Sequence, residues 1–443
     1  MKYVEGSKKV FLKTGTRFPR RLIWAVALVK EAAAKTNVTL GLLDASTSAA
    51  IIKASKEVET GKHDDEVSVD VFQTGSGTGI NMNINELVAE LASRLLRKKV
   101  HPKDQVNLGQ SSNDVGPTAI RISSCYLVVR NLIPSLQATI DSLDELAKRT
   151  SRVYKTGRTH LRDALPVTMG QEFGAYASAF EHDLIILSEA IVYVRELPIG
   201  GAAVGTGLNT HPRFGQLMCR EISRKTGIRF VAARNKFRPT KFLTDLVSLS
   251  GGLRVIALDL YRLCQDLRLM YSGPKTGLSE IDIPSQEEVA GSSIMPGKTN
   301  PVTVESVLLA CAQVLGMDHA NQVASMLGEF ELSMGIPLVG YNLAMQIELL
   351  SESLRKISSV VLDRLVPDKE LNRRYAENSQ ALVTVISPKV GYDRAAAIGK
   401  KIGKGLSTRE ALRQMGYSEK QINQILDLRR LVRPGFPAKE VKD

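Results

Sequence analysis

Five long stretches of the chain repeat apolar residues at helical spacing. They run from Pro117 to Lys148, Thr168 to Leu197, Thr240 to Tyr271, Pro301 to Leu327 and Pro337 to Leu362. In the fourth, Val304, Val307, Leu308, Cys311, Val314 and Leu315 share one helix face. Helices of about 25–30 residues are about 40 Å long, which predicts a helical bundle. Pro134 is expected to kink the first of them. The segment FGAYASAFEHDLIILSEAIVYV is apolar on more than one side. A helix of that kind needs a second covered face, so the pattern predicts an oligomer.

The flanking regions read differently. Arg21 to Lys35 predicts a helix, and its apolar run Leu22 to Val29 reads as a buried helix rather than a cleaved leader. Val67 to Phe72 alternates like a short strand before a glycine-rich turn. Asn85 to Arg97 predicts a second helix, with Leu87, Val88, Leu91, Leu95 and Leu96 on one side. Beyond about Val366 the patterns shorten. Ser407–Glu410 and Ser418–Gln421 look like helix starts there, the second matching a capping box. The expected organisation is a mixed, mainly helical region 1–110, a helix-bundle domain 111–363 and a small helical domain 364–443.

Composition narrows the functional classes. Hydrophobic residues make up 43% and charged residues 24%, so a folded globular protein is expected. No apolar run reaches the roughly 20 residues of a membrane span, so no membrane partner is expected. Cys125, Cys219, Cys264 and Cys311 are scattered, which fits free thiols in a reducing cytoplasm. No two of the six histidines share a helix at ligand spacing, so no metal is expected. The net charge is +13. From Ile386 to Asp443 there are 13 basic and 6 acidic residues, placing +7 of it in the tail. Only three aromatic residues, Tyr392, Tyr417 and Phe436, lie among those charges, so the tail reads as a solvated surface or a field for small anions. Nucleic acid is not the expected partner.

Four polar, glycine-punctuated segments interrupt the helical pattern. They are Thr74–Gly79, Gly109–Asp114, Gly157–Leu161 and Gly291–Pro301. The last ends in Gly297-Lys298-Thr299 but is no phosphate-binding loop, since five residues rather than four separate Gly291 from Gly297. Asn300 and Pro301 read instead as a helix start with a positive dipole end. Lys298 adds a charge, Ser292 and Ser293 add hydroxyls, and Glu305 follows in the second turn. Gly75-Ser76-Gly77-Thr78-Gly79 lacks the βαβ context of a dinucleotide loop. Its N–H groups and the Ser76 and Thr78 hydroxyls suit a carboxylate, though a plain tight turn fits equally. Ser111-Ser112-Asn113 supplies donors at another helix start, or is simply a cap. His160, after Arg158-Thr159, lies in a loop; His101-Pro102-Lys103-Asp104 is a compact polar turn.

Taken together the segments carry a resemblance. TGSGTGINMNINE, VNLGQSSNDVGPTAIRI, GRTHLRDALPVTMGQEF, GGAAVGTGLNTH and GSSIMPGKTNP, in that order, resemble the class II fumarases of the fumarase/aspartase superfamily. The likeness runs from about residue 10 to about residue 435. His160 after Thr159, Asn209-Thr210-His211 and Gly328–Glu331 favour the fumarase branch. The resemblance implies a mainly α, three-domain subunit with a central long five-helix bundle. It also implies a homotetramer with a twenty-helix core and active sites shared among three subunits. The implied reaction is hydration of fumarate to L-malate in the tricarboxylic acid cycle, in the cytoplasm, with no metal or organic cofactor. By resemblance Ser292 is the base, and His160 with Glu305 relays protons at the departing hydroxyl. Lys298, Asn300 and the backbone around Gly291 stabilise the dianionic intermediate. Ser76, Gly77, Thr78, Ser111, Ser112, Asn113, Thr159 and Ser293 bind the carboxylates. A second anion site falls on His101, Pro102, Lys103 and Asp104, where Lys103 and Lys98 replace the usual asparagine and arginine. Relatives usually carry a longer segment ahead of Gly15-Thr16. Aspartate ammonia-lyase, another lyase of the superfamily, is the alternative, and a non-enzymatic homologue or a nucleic-acid binder the remoter ones.

Overall fold

The computed structural model describes residues 2–288 and 292–435, with the Glu288 side chain excluded. The chain divides into two compact units. The first comprises Met1–Gln137, His182–Leu260 and Leu309–Ser353; the second comprises Ala138–Glu181, Tyr261–Leu308 and Leu354–Asp443. Each contains part of the same five long helices.

In chain order the helices are α1 (Lys2–Val10), α2 (Arg20–Thr39), α3 (Ala45–Glu59), α4 (Thr78–Leu96), α5 (Ser112–Leu127) and α6 (Ile133–Arg149). The antiparallel hairpin β1 (Tyr154–Thr159) and β2 (Arg162–Thr168) follows. Then come α7 (Met169–Val194), α8 (Phe214–Thr226), α9 (Phe237–Lys241), α10 (Thr244–Tyr271), α11 (Val302–Ser325), α12 (Ile336–Lys356) and α13 (Lys369–Asn378), with short helices to Leu431. The expected long helices are thus present, with edges moved by a few residues. The first begins at Ser112, five residues before Pro117, and widens into a π-helical stretch at Val128–Leu132 just ahead of Pro134.

The first unit buries α2 on every side: Leu22 through Val29 are all buried. Two sets of polar groups inside it bridge its helices. Arg121 of α5 grips Asp245 of α10 with two hydrogen bonds of 2.9 and 2.8 Å. Asn321 of α11 donates to Ser250 of α10 and Gln346 of α12 at 3.1 and 3.0 Å, tying three helices at one level. On α7, Leu187, Ile191 and Val194 are buried while Ile185, Ile186, Val192 and Tyr193 stay exposed, so the two-sided apolar pattern leaves one face uncovered in the single chain.

In the second unit, Val304 and Val307 of α11, Leu263 and Leu267 of α10 and Phe173 and Phe180 of α7 are buried. Near the C-terminus Ile386, Leu412, Ile422 and Ile425 form a small separate core. Both expected helix starts there carry full capping boxes, Ser407 with Glu410 and Ser418 with Gln421.

One expected element is absent. Val67, Val69 and Val71 are buried in alternation, yet Val67–Phe72 forms no strand. Its backbone groups are satisfied singly: Ser68 N–H donates to Asn83 Oδ1, Val71 N–H to Thr16 O, and Phe72 N–H to Asp70 Oδ1. Alternating burial needs only an extended chain over a core, not a neighbouring strand.

Candidate active site

Two of the polar segments meet in the first unit. Gly77 takes φ 76° immediately before Thr78, the first residue of α4. A side chain is disfavoured in that left-handed region. At Gly75 a Cβ would lie 2.2 Å from Met334 O, so this turn needs glycine for close approach as well. The Gly77 N–H closes the turn onto Thr74 O at 2.9 Å. The turn aims the Ser76 hydroxyl at that of Thr78, 2.8 Å away, and Thr78 in turn lies 2.8 Å from the Ser112 hydroxyl.

Ser112 is the first residue of α5, and Ser111 caps that helix by accepting from Asn113 N–H at 3.2 Å. Two helix starts, each a positive dipole end, therefore share one string of hydroxyls. A cavity of about 420 Å³ opens here, lined by Thr74, Thr78, Ser111, Ser112, Tyr3 and Lys103 among others. Lys103 belongs to the His101–Asp104 turn and sits over the Tyr3 ring at 4.3 Å. In that turn the Asp104 N–H donates to His101 Nδ1 at 3.1 Å, and Pro102 starts a wide π-type turn running to Val106.

Asp114, which sequence reasoning did not single out, holds this arrangement from beneath. It is fully buried. Oδ1 accepts from Ser111 N–H at 2.9 Å, and Oδ2 from Gly200 and Ala202 N–H at 3.0 Å each. Asn113 Nδ2 also donates to Ala203 O at 2.8 Å. The motif GGAAVGTGLNTH is thereby tied to the Ser111–Asn113 cap. Burial pushes the Asp114 carboxyl up to about 7 against the pull of its N–H donors and Lys30. Lys30, equally buried, is pushed down to about 7 for the same reason. Its ammonium donates to Asn81, Asn107 and Gln110 at 2.6, 2.9 and 2.9 Å.

The other two segments lie in the second unit. His160 is at the tip of the β1–β2 hairpin, where a loop was expected. His160 and Leu161 form its two-residue turn, with φ 53° and 56°. Such a turn needs positive φ at both central residues, a conformation that asparagine and glycine enter far more readily. Both residues and Thr159 are exposed.

Ser292 Oγ accepts from Met295 N–H at 3.0 Å and Ile294 N–H at 3.3 Å, which curls its loop into a tight turn. Gly297 at φ 77° continues the loop to Lys298, which like Ser293 is exposed. Thr299 is anchored 3.0 Å from the Tyr271 hydroxyl. Thr303 and Gln286 exchange hydrogen bonds of 3.0 and 3.2 Å across the loop's base. Helix α11 begins at Val302, beside Asn300 and Pro301, and carries Glu305 exposed. Gly291 lies outside the described residues. Among the described residues, no hydrogen bond or ion pair joins His160, Glu305 and Ser292 to one another.

Comparison with known proteins adds the following. A family model described as lyase matches residues 3–316, and one described as fumarase C C-terminus matches 382–433. The chain is 59% identical to a class II fumarate hydratase of Saccharolobus solfataricus, covering 99% of this chain and 100% of that protein. It is 40% identical to the class II fumarate hydratase of Halalkalibacterium halodurans, covering 94% and 92%. Among solved structures it superposes on a class II fumarase from Schistosoma mansoni with a TM-score of 0.92 at 34% identity, covering 97% of this chain and 94% of that one.

Proposed function

The chain belongs to the class II fumarate hydratases of the fumarase/aspartase superfamily, and we propose that it catalyses the reversible anti addition of water to fumarate, giving L-malate. The observation that carries this reading is the hydroxyl string Ser76–Thr78–Ser112 laid across two helix starts. It offers a small carboxylate several neutral donors and two dipole ends, with no fixed positive charge of its own.

The chemistry asks for more than binding. Loss of the C3 proton of malate leaves a carbanion, delocalised into the neighbouring carboxylate as a dianion. Donors aimed at that charge dominate the rate of such a step. Lys298, Asn300 and the backbone around Gly291 serve that purpose, with Ser292 as the base. A serine hydroxyl is a poor base unless its alkoxide is stabilised, which is why a lysine stands six residues away on the same loop. His160, with Glu305, moves the proton at the departing hydroxyl. Ser76, Gly77, Thr78, Ser111, Ser112, Asn113, Thr159 and Ser293 hold the two carboxylates, and His101–Asp104 forms a second anion site.

These groups act together in a homotetramer, each site drawing on three protomers. The exposed apolar face of α7, with Ile185, Ile186, Val192 and Tyr193, supports that assembly. The subunit organisation proposed with it is regions 1–110, 111–363 and 364–443, with the bundle in the middle. The enzyme works in the cytoplasm without metal or organic cofactor. Among the described residues no helix is long and apolar enough to cross a membrane.

The deciding experiment supplies the purified protein with L-malate and, separately, with L-aspartate, and follows fumarate by its absorbance. Fumarate from malate alone is expected. Fumarate and ammonia from aspartate would move the chain to the ammonia-lyase branch.

A further inference from the structure

The hairpin that carries His160 is fastened by a buried carboxylate outside every polar segment singled out above. Glu280 is completely buried. Its own backbone is held on both sides: the N–H donates to Met270 O at 2.8 Å, and the carbonyl accepts from Asp368 N–H at 3.0 Å and Asn372 Nδ2 at 2.7 Å. Oε1 receives Arg158 Nη1 at 2.7 Å, and Oε2 lies 2.9 Å from Lys155 Nζ. Lys155, 2% exposed, also donates to Glu172 Oε2 of α7 at 2.7 Å.

Lys155 and Arg158 are three apart on β1. In a regular strand, positions three apart face opposite sides. Here the register slips beyond Thr156: Gly157 alone stands opposite Ala164 and Leu165, so the extra residue of the hairpin lies on β2. A bulge of this kind bends its strand and raises the local twist of the hairpin. Gly157 permits it because a Cβ there would lie 2.6 Å from Leu165 O across the hairpin. Lys155 and Arg158 nonetheless both reach the one carboxylate, and the chain then runs through Thr159 into the positive-φ turn at His160.

A buried ion pair is a weak source of net stability, since desolvation offsets most of the attraction. Its directional effect is larger: a charge-assisted hydrogen bond from Arg158 and an ion pair from Lys155, on either side of Gly157, hold β1 in one register. We propose that Glu280 is a positioning residue for His160, its carboxylate locking β1 so that the imidazole is presented at one height and angle. The proposal rests on the reading of His160 as the proton-transfer group. Glu280 touches no reacting atom; it acts through Arg158 and Lys155.

The test measures kcat and KM for L-malate across pH in the wild type, E280Q, E280D and R158K, with H160N alongside. Circular dichroism and thermal melts establish that each variant is folded. E280Q removes the charge that both cations need. It is expected to lower kcat by about 10–100-fold, the scale of a slightly misplaced catalytic group. KM should change less than kcat, because, of the proposed carboxylate-binding residues, only Thr159 lies on this strand. The limb of the pH profile that vanishes in H160N should shift, and E280D should recover part of the lost rate. If E280Q does not fold, R158K decides, since Arg158 is only partly buried and keeps its charge while losing its fork. A folded E280Q or R158K with wild-type kcat and pH profile, whatever its melting temperature, overturns the proposal. Wild-type turnover in H160N overturns the reading beneath it instead, and does so without reference to Glu280.

Discussion

Thr78 Oγ1 lies 2.8 Å from Ser112 Oγ, joining the first residues of two helices that are 34 positions apart in sequence. Each hydroxyl can turn its proton toward the other or toward a ligand. An anion arriving here reorients donors already in place, without ordering a loop.

Removing the middle hydroxyl tests this directly. Thr78→Val keeps the shape of the side chain and leaves Ser76 and Ser112 without their common partner. A hydrogen bond to a charged group contributes about 1.5–3 kcal/mol, so KM for malate and fumarate should rise by about 10-fold or more. Steady-state kinetics in both directions read this out. An unchanged KM would remove the hydroxyl string from carboxylate binding.

The loop Ser292–Asn300 makes a different prediction. Ser292→Ala should lower kcat by at least the roughly 10²–10⁴-fold of a lost general base, while the oligomer persists by size-exclusion chromatography. Lys298→Ala should weaken binding and rate together, by more than the roughly 10²–10³-fold of a lost neutral donor. Near-normal turnover in either variant takes that side chain out of the mechanism.

Arg121 and Asp245 concern stability alone. Both side chains are buried, 0% and 3% exposed, and their fork joins α5 to α10. Asp245→Ala leaves a guanidinium in the interior without its counter-charge. A loss of about 3–5 kcal/mol is expected, read from denaturant unfolding at fixed protein concentration. A loss below about 1 kcal/mol, the worth of a surface pair, would show that water reaches the site.

Glu59 gives a pH dependence. It ends α3 against Glu31 of α2 and Lys225 of α8. Burial, reinforced by the facing Glu31, pushes its carboxyl up from 4.5 to about 7. Between those values the folded chain holds a proton that the unfolded chain has released. The stabilisation is therefore complete below pH 4.5 and is lost as pH rises to about 7. Glu59→Gln resembles the protonated form, so its melting temperature relative to wild type should climb across this window and level off above it. A difference that does not vary with pH would mean Glu59 titrates normally.

How much of this was legible in advance depended on the range of the interactions. The five long helices, the buried run Leu22–Val29 and the caps at Ser407 and Ser418 rest on neighbours within a few residues, and they stand as the pattern predicts. Val67–Phe72 was misread because its alternation reports burial on one side, while a strand also needs a partner. The hairpin around His160 was missed because charged residues and Gly157 disguise it; its pairing depends on a bulge that no composition announces. Asp114 and Glu280 were passed over for a related reason. A lone acidic residue reads as surface until the N–H groups or cations that surround it are known.

The sequence by itself determined the five long helical segments to within a few residues and the small polar residues that cap helices at Ser407 and Ser418, because capping and amphipathic spacing are written locally. Only the tertiary structure decided that Thr78 meets Ser112, that Asp114 gathers Gly200 and Ala202 beneath Ser111, and that Glu280 clamps the strand leading to His160. Those contacts join residues tens to more than a hundred positions apart. Burial makes them decisive: a charge or N–H removed from water must find its partner wherever the fold brings one.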